Sequence, residues 1–233
     1  MLVTVKDLGK VHIFAELKSE ELEQLIPHAK MRQYLREEII FHEGELLAAK
    51  LYAIASGRIH LKKTAATGKE TILRILYSGE IFAAHALLGD GTAPATVVCE
   101  QDCQIITIDR TALLEAIRQT PEIALRMMTV LNQRLQLLHN TIHGLISERA
   151  IVRLARFIQY TMLHYGTEIS KEGQYLKVNL SYYQMSRSIG ITYEECVRLL
   201  GSLKSVVNYR RGGKITILDV DALNKIAEGD ESL

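Results

Sequence analysis

The chain has 233 residues, with 28 Lys and Arg against 27 Asp and Glu, for a net charge of +1. That balance excludes a globally basic nucleic-acid coat, so any DNA contact has to be local. No apolar run approaches bilayer length and the stretch Met1–Asp7 lacks a signal-peptide layout, which together predict a soluble cytoplasmic protein with no membrane partner. Three cysteines, Cys99, Cys103 and Cys196, are too few for a disulfide framework or for the four thiolates that usually hold an iron–sulfur cluster.

The N-terminal stretch predicts a helical lead-in from Ser19 to Ile26, with Ser19 as its cap. From about Glu37 to Asp109 short apolar runs alternate with glycine turns: Ile39-Ile40-Phe41, Leu51–Ile54, Ile59-His60-Leu61, Thr71-Ile72-Leu73, Thr96-Val97-Val98 and Ile105–Ile108. Strands at this spacing argue for a β-barrel or sandwich. Cys99-x-x-x-Cys103 reads as two buried thiols around a strand turn, with a redox pair as the competing reading. From about Pro121 to Ser147 the pattern becomes one long helix. Met128, Leu131, Leu135, Leu138, Ile142 and Leu145 recur at alternating steps of three and four, the rhythm of a coiled-coil seam, which implies a homodimer.

Leu180–Asp219 is the most informative segment. Ser181 caps a short helix carrying Met185 and Ile189, which breaks at Gly190, where a left-handed conformation costs least. Thr192 caps a second helix, Tyr193 to about Ser205, whose apolar stripe is Cys196, Leu199, Leu200 and Leu203. Opposite that stripe lie Tyr193, Glu194, Val197 and Arg198. Asn208 to Ile217 then reads as a basic hairpin with Gly212-Gly213 at its turn. Two helices, a glycine break and a basic wing form a winged helix-turn-helix, whose second helix enters a major groove. An arginine fork can donate to guanine O6 and N7, and a carboxylate can accept from cytosine N4, so Arg198 and Glu194 are the candidate base readers. Their competing reading is an i,i+4 surface ion pair. Tyr193, Val197, Ser181, Lys204, Arg210, Arg211 and Lys214 complete the candidate DNA surface, the basic residues through phosphate contacts.

These residues resemble the CRP/FNR superfamily of bacterial transcription regulators over almost the whole chain. The family's recognition motif, close to Ser-Arg-Glu-Thr-Val-Ser-Arg, corresponds to Thr192-Tyr193-Glu194-Glu195-Cys196-Val197-Arg198. Glu43-Gly44-Glu45 and Leu51-Tyr52-x-Ile54-x-Ser56-Gly57-Arg58 resemble the cyclic-nucleotide-binding β-roll. The resemblance implies an α+β fold in three parts: a sensory β-roll over residues 1–109, a dimerisation helix over 110–147 and a winged helix-turn-helix over 148–233. It also implies an inverted-repeat DNA target with a TGA-like core, two recognition helices about one DNA turn (roughly 34 Å) apart, and RNA polymerase as a partner where the protein activates.

The effector region departs from the cyclic-AMP pattern. Aligning on Gly79 and on Ala95-Thr96-Val97 puts Ala84 where cyclic-nucleotide receptors carry the ribose-binding glutamate and Ala93 where they carry the phosphate-binding arginine. A Thr-Ser pair that meets adenine in the cyclic-AMP receptor corresponds to Leu138-His139. Without the cation the phosphate loses its charge-assisted contacts, which argues against cyclic AMP as effector. Phe82-Ala83-Ala84-His85, with Leu131 and Leu135 on the long helix, resembles instead the carbon-monoxide-sensing haem branch, which implies His85 as a ligand to haem iron. That branch's cysteine is Ala83 here, and its N-terminal second ligand has no counterpart. A small organic effector in the same apolar pocket, lined by Phe82, Ala84, His85, Ala93, Leu131, Leu135 and Leu138, is the alternative. Of the other histidines (His12, His28, His42, His60, His139, His143, His164), His139 and His143 are spaced i,i+4, but their neighbours fit a dimer surface and no acidic third ligand follows. A cupin-like enzyme would need His-x-His, and neither that pair, a Gly-x-Ser-x-Gly elbow nor a phosphate-binding loop with lysine occurs.

Overall fold

The computed structural model describes residues 2–170 and 173–229, which divide into two compact units, Met1–Gln133 and Arg134–Leu233. Residues 230–233, the end of the expected DNA-binding domain, lie outside the described residues.

The first unit opens with α1 (Val5–Gly9), held by reciprocal caps between Thr4 and Asp7, and α2 (Ser19–Leu25). The sequence expectation of Ser19 as the cap of α2 does not hold. Lys18 takes the N-cap position, and its N–H donates to the Glu21 carboxylate at 2.7 Å. A glutamate three residues past the cap satisfies that donor, so the helix starts one residue earlier. Next come β1 (Ala29–Tyr34), β2 (Ile39–Phe41), β3 (Lys50–Ser56), β4 (Arg58–Thr64), β5 (Glu70–Tyr77), β6 (Ile81–Phe82), α3 (Ala84–Leu88), β7 (Thr96–Cys99), β8 (Cys103–Asp109) and α4 (Arg110–Gln119). The strands pair antiparallel into two four-stranded sheets, ordered β1-β8-β3-β6 and β2-β7-β4-β5. All six apolar runs predicted as strands fall in strands; β1 and β6 are additional.

The near-continuous apolar run of β8 has a simple cause. Ile105 points into the roll with Tyr34, Phe41, Ile54, Ile59 and Phe82, while Ile106 and Ile108 point outward against Leu8, Phe14, Leu22, Leu25 and Leu113 of the helical layer. A sheet buried on both faces needs no polar alternation. The helical layer also receives Ile123 and Met127 from α5 (Glu122–Ser147), inside which the unit boundary falls.

In the second unit, α6 (Ala150–Tyr165) leads to β9 (Thr167–Ser170), β10 (Gly173–Leu176), α7 (Tyr182–Ile189), α8 (Tyr193–Ser202), β11 (Val207–Arg210), β12 (Lys214–Ile217) and α9 (Val220–Glu228). Its sheet runs β11-β12-β10-β9. Arg153 Nε donates to the Ile189 carbonyl (3.2 Å) and Arg156 Nε to that of Ala227 (2.6 Å), so α6 ties down the last carbonyls of two other helices. The second helix of the motif ends at Ser202, short of the expected Ser205. Val206 and Val207 both donate to the Leu203 carbonyl (2.8 and 2.7 Å), closing a turn that reverses the chain so that Val207 can pair with Ile217.

Candidate nucleic-acid interface and effector site

The two helices of the motif are built as their caps predict. Ser181 Oγ accepts from Gln184 N (3.2 Å) and Gln184 Oε1 accepts from Ser181 N (2.6 Å), so this serine's hydroxyl serves the start of α7. Gly190 closes α7 with φ +75°, and Thr192 Oγ1 accepts from Glu195 N (3.1 Å) to open α8. Cys196, Leu199 and Leu200 are buried, and burial pushes the Cys196 thiol up to about 11, so it stays a neutral core group. The opposite face presents Tyr193, Glu194, Val197 and Arg198 to solvent.

The competing reading of Glu194 and Arg198 as an i,i+4 ion pair does not hold. Arg198 lies instead 3.8 Å from Glu195, three residues back and exposed, a pairing worth little in water. Among the described residues Glu194 makes no ion pair, leaving its carboxylate available to a partner. Lys204, Arg210, Arg211 and Lys214 are exposed as expected. The last three stand at the wing, where Arg210 faces Lys214 across a three-residue turn. Gly212 and Gly213 hold that turn at φ +88° and +81°.

Of the candidate effector residues, Phe82, Ala84 and His85 lie where β6 runs into α3. Phe82 is a roll-core residue, stacked on Phe41 (centroids 6.2 Å) and tilted against Tyr52 (5.7 Å). Ala83 then takes a left-handed backbone, φ +52°, unusual for a residue with a side chain. It starts α3, placing His85 in its first turn. The His85 ring stands edge-on to Phe41 (6.4 Å), and its Nε2 is buried with no hydrogen-bond partner among the described residues. Burial lowers its pKa below the ordinary histidine value, with Asp90 pulling weakly the other way, so the neutral imidazole is favoured. Ala93 is fully buried, its N–H donating to the Glu45 carbonyl (2.9 Å) and its carbonyl accepting from Gly44 (2.8 Å). Glu80 is held in place by Arg74 (3.2 Å) and by the Tyr77 N–H (2.9 Å), closing the β5–β6 turn. On α5, Met128, Leu135, Leu138, Ile142 and Leu145 are about half exposed in the single chain, and Leu131 is partly so.

Two family descriptions match the chain. Residues 31–120 match the cyclic nucleotide-binding domain and residues 152–226 the Crp-like helix-turn-helix domain. The chain belongs to the CRP/FNR superfamily. It is a DNA-binding transcription regulator of that type, not an enzyme. Among similar curated proteins is the cyclic AMP receptor protein of Thermus thermophilus, 28% identical over 93% of this chain and 97% of that protein. A CRP-like cAMP-activated global transcriptional regulator of Mycobacterium tuberculosis is 25% identical over 86% of the chain and 84% of that protein. The fold also matches a double mutant of CooA from Carboxydothermus hydrogenoformans, with TM-score 0.77 and 20% identity over 97% of both chains.

This CRP/FNR regulator contains one polar cluster that sequence reasoning missed. His60 on β4 is buried, with Nε2 2.8 Å from the Glu100 carboxylate, which also pairs with Arg58. Burial alone would raise the Glu100 pKa, but the His60 hydrogen bond and the Arg58 charge outweigh it and hold the carboxyl below the usual glutamate range. Residues this distant in sequence carry no joint signal until β4 and β7 pair. Cys99 and Cys103 are buried as expected, with Cys103 Sγ donating to the Arg58 and Gln101 carbonyls (3.3 and 3.1 Å). Among the described residues no cluster of His, Cys, Asp and Glu could hold a metal ion, and no helix is long and apolar enough to cross a membrane.

Proposed function

We propose that this regulator is a cytoplasmic homodimer that binds inverted-repeat DNA under control of an effector other than cyclic AMP, received at β6–α3. The observation that carries the DNA reading is the open face of α8, where Glu194 and Arg198 stand exposed on a helix whose opposite side is buried. The half-exposed seam of α5 supports the dimer, since a soluble chain rarely leaves a continuous apolar stripe in water. Functionally the chain divides into the sensory roll to residue 109, the dimerisation segment 110–147, which holds α4 and α5, and the DNA-binding part beyond. Effector binding that favours one packing of the paired α5 helices over another would shift the population between DNA-competent and DNA-incompetent states. RNA polymerase is the further partner at promoters the protein activates.

Two relatives are named for cyclic AMP, yet Ala84 and Ala93 supply neither a carboxylate for a ribose hydroxyl nor a cation for a phosphate. The orphaned, buried Nε2 of His85 fits a ligand that takes a neutral imidazole nitrogen. Haem is one such ligand: His85 would hold the iron, which supplies the binding of a small uncharged gas. The second reading is an uncharged organic effector that hydrogen-bonds the same nitrogen. Both use Phe82, stacked on Phe41, as support beside His85.

Arg198→Ala tests the DNA reading. It is expected to cost about 1–3 kcal/mol on the preferred duplex and to relax preference at one base pair of each half-site. Wild-type affinity should also fall steeply between low and moderate salt as phosphate contacts release counterions. An unchanged ratio between preferred and scrambled duplexes in the variant would remove Arg198 from base reading.

A further inference from the structure

Three tyrosine rings meet on the face of the second unit that carries α8. Tyr182 opens α7, Tyr193 opens α8 and Tyr209 lies in β11 of the wing. The Tyr182 ring stands 4.1 Å from Tyr209 and, edge-on, 5.6 Å from Tyr193. Burial raises the phenols of Tyr182 and Tyr209, so both remain neutral. Tyr193 is 51% exposed, held on one side by Tyr182 and open on the other. One helical turn on, Val197 is also exposed, at 38%. Residues four apart share a helix face, so Tyr193 and Val197 form an apolar strip alongside the charged strip of Glu194 and Arg198.

A tyrosine at the first position of this helix has no fork with which to offer guanine two donors. Its ring edge and face are apolar, and the one apolar group a base pair shows in the major groove is the thymine C5-methyl. Val197 can add only the same kind of contact. We propose that Tyr193, propped by Tyr182 and the wing's Tyr209, reads thymine through its C5-methyl together with Val197, at a base pair adjoining those read by Glu194 and Arg198. This rests on the reading of α8 as the base-reading helix. The ring cluster matters because a contact of one methyl group discriminates only if the surface meeting it is held in place, and the edge-on packing against Tyr182 limits the rotamers of Tyr193.

The test begins with duplexes selected by the wild-type protein from a pool with randomised half-sites. Each thymine of the preferred duplex is then replaced, one position at a time, by deoxyuridine, which lacks only the methyl group. Affinities are measured by fluorescence anisotropy at fixed salt. One thymine per half-site is expected to show about a fourfold loss, the worth of one buried methyl. Tyr193→Phe should retain that dependence and Tyr193→Ala should abolish it. A scan in which no uridine weakens wild-type binding by more than about twofold overturns the proposal, and that measurement needs no variant to fold. If the scan is flat while Arg198→Ala relaxes sequence preference, the tyrosine assignment alone fails. If Arg198→Ala also leaves preference unchanged, the base-reading role of α8 falls with it.

Discussion

At Gly213 the wing and the helix-turn-helix touch backbone to backbone. The Gly213 carbonyl accepts from the Leu180 N–H at 2.8 Å, and a Cβ built on Gly213 would sit 2.9 Å from the Leu180 carbonyl carbon and oxygen. Gly212 has a similar φ, but a Cβ there meets nothing within 4 Å. Gly212→Ala should therefore carry only the cost of a left-handed alanine, about 1 kcal/mol, whereas Gly213→Ala adds a clash with immobile backbone and should cost roughly 2–3 kcal/mol. Thermal unfolding of the two variants separates these terms, and equal shifts would show that the close approach is unimportant. The sequence announced Gly-Gly as a turn, because both residues favour positive φ, but not which of them a neighbour needs. The same limit applies to Glu194 and Arg198. Their four-residue spacing was legible, whereas the preference of Arg198 for Glu195 depends on side-chain rotamers that no spacing encodes.

Elements with one dominant period were readable, and those with mixed demands were not. α7 and α8 carry clean caps and stripes, so only the last turn of α8 was misjudged. β1, Ala-Lys-Met-Arg-Gln-Tyr, buries only Met31 and Tyr34 and has no flanking glycine, so nothing marked it before β8 paired with it. α5 shows how two patterns can overlap in one helix. Ile123 and Met127 enter the helical layer of the first unit, while Met128, Leu135, Leu138, Ile142 and Leu145 stay half exposed along the seam. Because these seam residues are already wet in the single chain, Leu135→Glu with Ile142→Glu should leave the helix content measured by circular dichroism unchanged. Burying four carboxylates in a symmetric interface is prohibitive, so the double variant should sediment as a monomer, with dimer affinity reduced at least about a hundredfold. It should also lose its advantage for an inverted repeat over a single half-site. A double variant that sediments as wild type would place the dimer contact elsewhere.

At the scale of the whole molecule the proposed sensing step begins at β6–α3, and its chemistry would turn on His85. The strand pattern located the roll, and the absence of charge at Ala84 and Ala93 was visible in sequence. The burial of His85 Nε2 was not, because it depends on the left-handed Ala83 and on Phe41, 44 residues away in sequence, both fixed only by the fold. A neutral imidazole with an unsatisfied nitrogen is costly to keep buried unless something binds it, which favours a ligand at this position over a purely structural histidine. Protein expressed with haem supply is therefore expected to show a Soret band that shifts on reduction and again with carbon monoxide, and to lose it in His85→Ala. DNA affinity should change with the gas in the wild type and not in the variant. Folded, dimeric protein without a Soret band would exclude haem and leave the uncharged organic effector. In that case His85→Ala should abolish the effector's influence on DNA affinity while leaving effector-free binding as it was, whereas an unaltered response would remove His85 from the sensor altogether.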